Sequence, residues 1–539
     1  MTSSNKRHGS KLEFALVLIF TAVAIFFTSI VFDIDMTDPY DEGLHFLNYA
    51  MFKAGKIPYI DYFPIFPPIW TYSNIVLEMV FGEFLLVQRL WFIAQGVFLA
   101  FVCFLCLRKF VHSRAIAMIT TLMVIAYGLD AYWVARWSGA RLAVYIIFLM
   151  LINRYFETER RNRVWLFSIG LLAGLSNLYA FDVGIHITLA SISIICSAML
   201  IRSSFNTGNL KNLMIPIAGF LLPTGAWAVY LAMKGALVNY ASIYYYTYMF
   251  QLMPISVKAL SGGALTPRDP NFALLLVFVI LLCIPLGYLI IYRGLIKRDL
   301  TGKDLIPVAA INLTLLSSIS TVRAVGGGPQ YTMFTFIPMV LWGGWLISLV
   351  REKFFADKTA VTALVMAIFA AVPFPYYKDN LTVKYMMATN SYSLMSRMLS
   401  SDKGLDAAKS GLGTLGGLYG EKKFDGICIY IREHTAPGES VLAFPMFVEI
   451  LPALAERPHA TRFPIPLLLA GSPELQKEYI EDVEREQPRY LFFHEDVRFG
   501  NVPLEPYFKP VYDYIYENYR PAVDAPYNEK YQIWVRKYL

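Results

Sequence analysis

Five carboxylates fall within ten residues near the start of the chain, Asp33, Asp35, Asp38, Asp41 and Glu42, with His45 close behind. A carboxylate beside a hydroxyl can take its proton as general base, and a nearby imidazole can ligate a metal or hydrogen-bond a substrate. The plainer reading of Asp38, Asp41 and Glu42 is helix capping and solvation. Against it stands the aromatic-rich stretch next in the chain, at the edge of an apolar region, where charge is costly to leave without purpose.

The element that must position these acids is legible in the spacing. Gly43–Ala54 is expected to be a helix with Leu44, Leu47, Ala50 and Met51 on one face, amphipathic and suited to a membrane surface. Gly55 ends it, and Pro58, Pro64, Pro67 and Pro68 forbid regular helix until the next apolar stretch. Asp41 and Glu42 then stand at a helix N-terminus, where free N–H groups and the helix dipole favour negative charge. A connection of this length, roughly 33–83, is more often functional than a mere link.

The larger frame is set by composition. Of 539 residues, 56% are hydrophobic and 16% charged, against roughly 25% charged in an average soluble domain. Mean hydropathy is +0.48. Eleven spans are expected, at 12–32, 84–107, 115–133, 140–156, 164–181, 184–201, 213–233, 272–292, 305–321, 331–350 and 359–375, each near the ~20 residues a bilayer requires. The fold class is thus a polytopic α-helical membrane protein, with a transmembrane domain over 1–375. Charges become frequent from about residue 376 onward, as in Glu481, Asp482, Glu484, Arg485 and Glu486, so 376–539 is expected to be a soluble domain. Of the five cysteines, four sit in apolar stretches, and Cys103-x-x-Cys106 reads as packing rather than redox chemistry.

Loop charges give a direction. One set of loops carries most of the Lys and Arg, including Lys6, Arg7, Arg160, Arg161, Lys297, Arg298 and Arg351; the other set is sparse. The rich side is cytoplasmic by the positive-inside rule. With an odd number of spans, the N-terminus is cytoplasmic and the C-terminal domain periplasmic, in a bacterial inner membrane. The net charge of +7 follows from this asymmetry and gives no reason to expect nucleic-acid binding.

The run D-P-Y-D-E-G-L-H-F from Asp38, then A-x-x-x-x-G-K-x-P-Y-x-D-Y and P-P-x-x-x-Y, resembles the first external loop of the GT-C membrane glycosyltransferases. The nearest branch is the protein O-mannosyltransferase-like one, which includes the lipid A aminoarabinose transferases. The resemblance implies transfer of a sugar from a polyprenyl-phosphate donor to a lipid, glycan or protein acceptor on the outer face. It implies Asp41 as general base, with Asp38 the alternative and Glu42 orienting acceptor or base. His45 and Tyr59 belong to the same matched stretch. The leaving phosphate needs cations, preferably the forked guanidinium of Arg. Arg136 and Arg141 bracket the short loop between the third and fourth expected spans, and Arg323 precedes the tenth; the plain alternative for each is snorkelling to the interface. Asp182 is the best second carboxylate, and Gly326–Pro329 reads as a turn that lets Tyr331 approach a ligand. Related oligosaccharyltransferases use separated acids to hold a divalent metal. No compact Asp-x-Asp appears in the later loops here, so no metal ligand is assigned, and a divalent metal stays open as a cofactor. Five tyrosines between Tyr240 and Tyr248 read as an interfacial belt or as a wall of the donor groove.

In the soluble part, helices are expected at Phe424–His434, Phe447–Ala455, Pro473–Glu486 and Tyr507–Asn518. Strands are expected at Ser440–Phe444, Arg489–Phe493 and Tyr531–Lys537, giving a small α/β sandwich with a mainly parallel sheet. Two other functions compete. A flippase or transporter would call for mid-span charges and internal repeats, and neither is found. An oligosaccharide polymerase or ligase using a pyrophosphate-linked donor is the nearer rival.

Overall fold

The computed structural model describes residues 41–81, 85–110, 139–157, 163–201, 207–243, 425–445, 450–469, 472–495, 497–499, 502–526 and 531–538, with isolated positions elsewhere. The expected spans 272–292, 331–350 and 359–375, and the domain boundary at 375, lie outside the described residues. Spans 12–32, 115–133 and 305–321 are described only at scattered, helical positions. Backbone contacts divide the chain into two compact units. One comprises Met1–Asp33, Arg89–Thr224 and Pro270–Arg397; the other comprises Ile34–Gln88, Gly225–Asp269 and Met398–Leu539.

The described part of the first unit is a helical bundle. Helices α3 (Leu85–Phe110), α4 (Gly139–Glu157), α5 (Arg163–Tyr179), α6 (Phe181–Ile201) and α7 (Thr207–Met233) cover five expected spans, and the ends of α3 and α7 run into the second unit. Among the described residues, Val87–Arg108, Gly139–Glu157 and Met214–Met233 are long and apolar enough to cross a membrane. Tyr145, Ile146 and Leu149 of α4, Ile169 and Ala173 of α5, and Ile187, Ala190 and Ile194 of α6 share one buried core with Cys103 and Cys106. Both cysteines are buried and neither is in a disulfide, in keeping with packing.

Small residues let α5 and α7 approach closely. A Cβ on Gly170 would lie 1.9 Å from the carbonyl oxygen of Pro216, and one on Gly174 would lie 2.6 Å from that of Phe220. This is the small-xxx-small mode of packing between membrane helices, and its sequence signal is the spacing G-L-L-A-G.

The second unit begins with the acidic stretch. Helix α1 spans Asp41–Lys53, two residues earlier than the spacing predicts, so Asp41 is its first residue. Gly55 (φ +83°) ends it, with Gly55 N–H bonded to Phe52 O at 2.9 Å and Lys56 N–H to Met51 O at 3.0 Å. That pair is the Schellman C-cap, which needs a residue at ease in the left-handed region. A second helix, α2 (Pro68–Phe81), occupies part of the tract expected to be irregular. Pro68 stands at its first position, where a missing N–H costs nothing, so proline starts this helix rather than preventing it.

The C-terminal segment carries α9 (Asp425–His434), β1 (Leu442–Phe444), α10 (Ile450–Leu454), α11 (Pro473–Glu486), β2 (Tyr490–His494), α12 (Lys509–Asn518), β5 (Tyr519–Pro521) and β6 (Tyr531–Arg536). A short α8 (Leu237–Ala241) precedes them, and β3 (Arg498–Phe499) pairs with β4 (Val502–Pro503). The main sheet has order β1-β2-β6-β5. Only β1 and β2 run parallel; β2–β6 and β6–β5 are antiparallel. The expectation of a mainly parallel sheet is therefore corrected. The reason is β5, a three-residue strand without hydrophobic alternation, which returns to β6 without a helical crossover. One face of the sheet packs Phe492 and Ile533 against Ile427, Ile431 and Leu451.

Candidate functional site

Helix α1 presents the acids. Asp41 and Glu42 form its first turn, and the helix is seated by Leu44, Leu47 and Met51, each at most 2% exposed. His45 is buried on the same helix, its ring stacked on Phe66 at 5.4 Å and tilted against Trp70 at 5.8 Å. Asn48 is buried too, and its carbonyl accepts from the Tyr62 hydroxyl at 3.0 Å.

The turn after α1 is built by tyrosines. Tyr59 takes a left-handed backbone (φ 67°), and its N–H donates to Tyr62 O at 2.7 Å. The Tyr59 hydroxyl donates to Phe66 O at 2.5 Å and lies 2.9 Å from Thr71 Oγ1. Asp61 accepts from Ile57 N–H at 2.7 Å. The Tyr59 ring meets Trp227 at 5.4 Å and Tyr240 at 5.7 Å, both edge-on. Tyr59 thus holds the turn with its hydroxyl and an aromatic cluster with its ring. Burial first, then Tyr72 and Glu78 nearby, pushes the Tyr62 phenol well up, so it remains a hydrogen-bond donor.

Sequence reasoning missed Glu78 and Gln88. Glu78 of α2 is fully buried and accepts from the Gln88 side-chain amide. The legible signal was a charge inside an apolar stretch, which is a functional flag by default.

A second polar cluster lies within the first unit. Arg141, at the start of α4, pairs with Asp182, at the start of α6, with 3.7 Å between Nη2 and Oδ1. These two predicted substrate-binding residues are brought together. Nearby, the Tyr145 hydroxyl is 2.7 Å from His186 Nδ1. Gln95 Oε1 accepts from Ala140 N–H and from the Tyr179 hydroxyl, each at 3.3 Å. Gly139 permits this approach, since a Cβ there would lie 2.8 Å from Gln95. Gln95, Tyr145 and Tyr179 were not anticipated, because each sits alone in an apolar helix and only the fold gathers them. Asp38, Arg136, Arg323 and Tyr331 lie outside the described residues. Among the described residues no three His, Cys, Asp or Glu are grouped as a metal site.

No family model matches the sequence, and no curated protein matches it. Solved structures do. ArnT from Cupriavidus metallidurans bound to undecaprenyl phosphate superposes with TM-score 0.53 at 13% identity, over 96% of this chain and 97% of that one. The same protein in the apo state gives 0.55 at 15% identity, over 97% and 98%. At such identities the likeness is one of fold. It runs nearly end to end in both chains, so this chain shares the fold of those ArnT structures.

Proposed function

We propose, on the premise of that fold, that the chain transfers a sugar from a polyprenyl-phosphate donor to an acceptor on the extracytoplasmic face of a bacterial inner membrane. The observation that carries the reading is the full-length likeness to an ArnT crystallised with undecaprenyl phosphate. The acids at the head of α1 give it a chemistry.

In this reading the acceptor hydroxyl gives its proton to Asp41, and its oxygen attacks C1 of the donor sugar as the C1–phosphate bond breaks. Polyprenyl phosphate leaves with the bonding electrons. Asp38 is the alternative base, and Glu42 orients the acceptor or the base. The helix N-terminus stabilises the ionised form of an acid placed there, which suits a base that must be deprotonated before reaction. Arg141, held by Asp182, is one candidate cation for the phosphate; Arg136 and Arg323 are others. His45, Tyr59 and Tyr331 are proposed to line the substrate path. The domain division at 375 and the periplasmic place of residues 376–539 belong to the same proposal.

The test is release of polyprenyl phosphate from labelled donors by protein reconstituted in lipid. Asp41→Asn is expected to lower turnover by about a hundredfold or more, the usual worth of a general base. Full turnover in that variant with every donor would sink Asp41 as base. Loss in Asp38→Asn alone would move the role to Asp38.

A further inference from the structure

We infer that Arg462 and Asp482 are positioning residues for the candidate base, clamping the turn after α1 and, through it, α1 itself. The joint is explicit. Phe63 donates its backbone N–H to the Arg462 carbonyl at 2.9 Å, and its ring stacks on Phe463 at 5.5 Å and 27°. Phe63 and Phe463 are both buried.

Asp482 aims that carbonyl. It is 0% exposed, accepts the Arg462 backbone N–H at 3.0 Å, and sets its two oxygens 3.0 and 3.2 Å from Arg462 Nε. Glu478 takes the far side of the guanidinium at 3.2 Å, and Arg485 reaches Asp482 at 2.8 Å. One buried carboxylate therefore holds both the main chain and the side chain of Arg462. Removing Arg462 leaves the buried Asp482 with Arg485 alone, and removing the Asp482 charge frees Arg462 at both its main chain and its side chain; either loss from a buried pair is costly.

The far side of the joint leads to the acids. Phe63 adjoins Tyr62, whose hydroxyl donates to the Asn48 carbonyl in the middle of α1, and α1 also packs against α10. A shift of Arg462 is thus passed through the turn to the helix that Asp41 begins. No part of this role requires Arg462 or Asp482 to touch substrate. It does rest on the reading of Asp41 as base, and the test separates the two.

The test uses the full-length protein in lipid nanodiscs. Asp482→Asn and Arg462→Ala are expected to speed amide exchange across residues 57–66 by about tenfold, while β2 and β6 stay protected. Turnover is expected to fall by about tenfold to a hundredfold with the donor KM within about twofold, because a misplacement on the order of 1 Å carries such a cost. Arg462→Lys, which keeps a cation for Asp482, is expected to recover much of the kcat. If β2 and β6 lose protection as well, Phe63→Leu with Phe463→Leu decides, since it loosens the same joint and leaves the buried charges alone. Unchanged exchange at 57–66 in the tested variants overturns the clamp. Faster exchange with unchanged kcat overturns its positioning role. Should Asp41→Asn keep full turnover, the base assignment fails by itself and the exchange result still judges the clamp.

Discussion

Single residues in the C-terminal segment show how burial sets chemistry. His459 is 3% exposed; its Nδ1 accepts from Thr461 N–H at 3.2 Å, so the ring is neutral with its proton on Nε2, facing Ala443 O at 3.5 Å. Burial above all lowers its pKa to about 4; the Ala443 and Thr461 carbonyls and Asp482 pull the other way. In the unfolded chain an ordinary histidine titrates near 6.5. Between about 4 and 6.5 the unfolded state binds the extra proton, so the contribution is complete above 6.5 and lost as pH falls through 4. At 1.36 kcal/mol per unit the loss is about 3 kcal/mol. Amide exchange in β2 and β6, corrected for its intrinsic pH dependence, should show this loss on acidification. His459→Gln should flatten it, and an equal acid sensitivity in that variant would refute the assignment. Arg457 shows a different solution to burial. At 8% exposure it donates to Thr435 Oγ1 at 2.7 Å, Thr435 O at 2.8 Å and Arg432 O at 3.1 Å, closing the C-terminal end of α9 with its side chain.

Helices were legible where one physical signal dominated. Pro473–Glu486 appears with the bounds its pattern predicts, because Ser472 caps it, accepting from Leu475 N–H, and Pro473 begins it. Helix α2 was not legible, since a run of prolines reads as irregular until one of them is seen to occupy a first helical position. Among the candidate residues, Asp41 and Glu42 were singled out by their place at a helix start, and the structure puts both in the first turn of α1. The Arg141–Asp182 pair was found only as two separate residues, 41 positions apart, because pairing across helices leaves no local pattern. The α5–α7 crossing makes a sharper prediction. Gly→Ala inside a helix normally gains up to about 1 kcal/mol, and at Gly225 of α7, where a Cβ meets nothing within 4 Å, Ala should be neutral or stabilising. At Gly170 the same change drives Cβ to 1.9 Å from Pro216 O. Forcing atoms into a packed interface costs about 1–3 kcal/mol, which outweighs the propensity gain. Thermal unfolding in detergent should therefore fall for Gly170→Ala and hold or rise for Gly225→Ala. A rise in both would mean that the crossing is not tightly packed.

At the scale of the whole chain, one contact constrains topology. Phe63 and Arg462 share a backbone hydrogen bond, so, given the expected membrane spans, the turn after α1 and the C-terminal segment are expected on one face of the membrane. The chain must then cross an even number of times between them, and the eleven expected spans put ten there. Which face it is depends on the Lys and Arg bias alone, so the face is what must be measured. Val523, 96% exposed in the C-terminal segment, is a suitable reporter, and Lys297, in a loop expected to be cytoplasmic, is its counterpart. In a background with the native cysteines replaced, Val523→Cys should react with a membrane-impermeant maleimide in intact spheroplasts, and Lys297→Cys only after permeabilisation. The reverse pattern would turn the molecule over. The candidate base would then face the cytoplasm, and an acceptor on the outer face would be ruled out. Labelling of both in intact spheroplasts would contradict the three spans expected between Lys297 and Val523, and the span assignment there would be at fault.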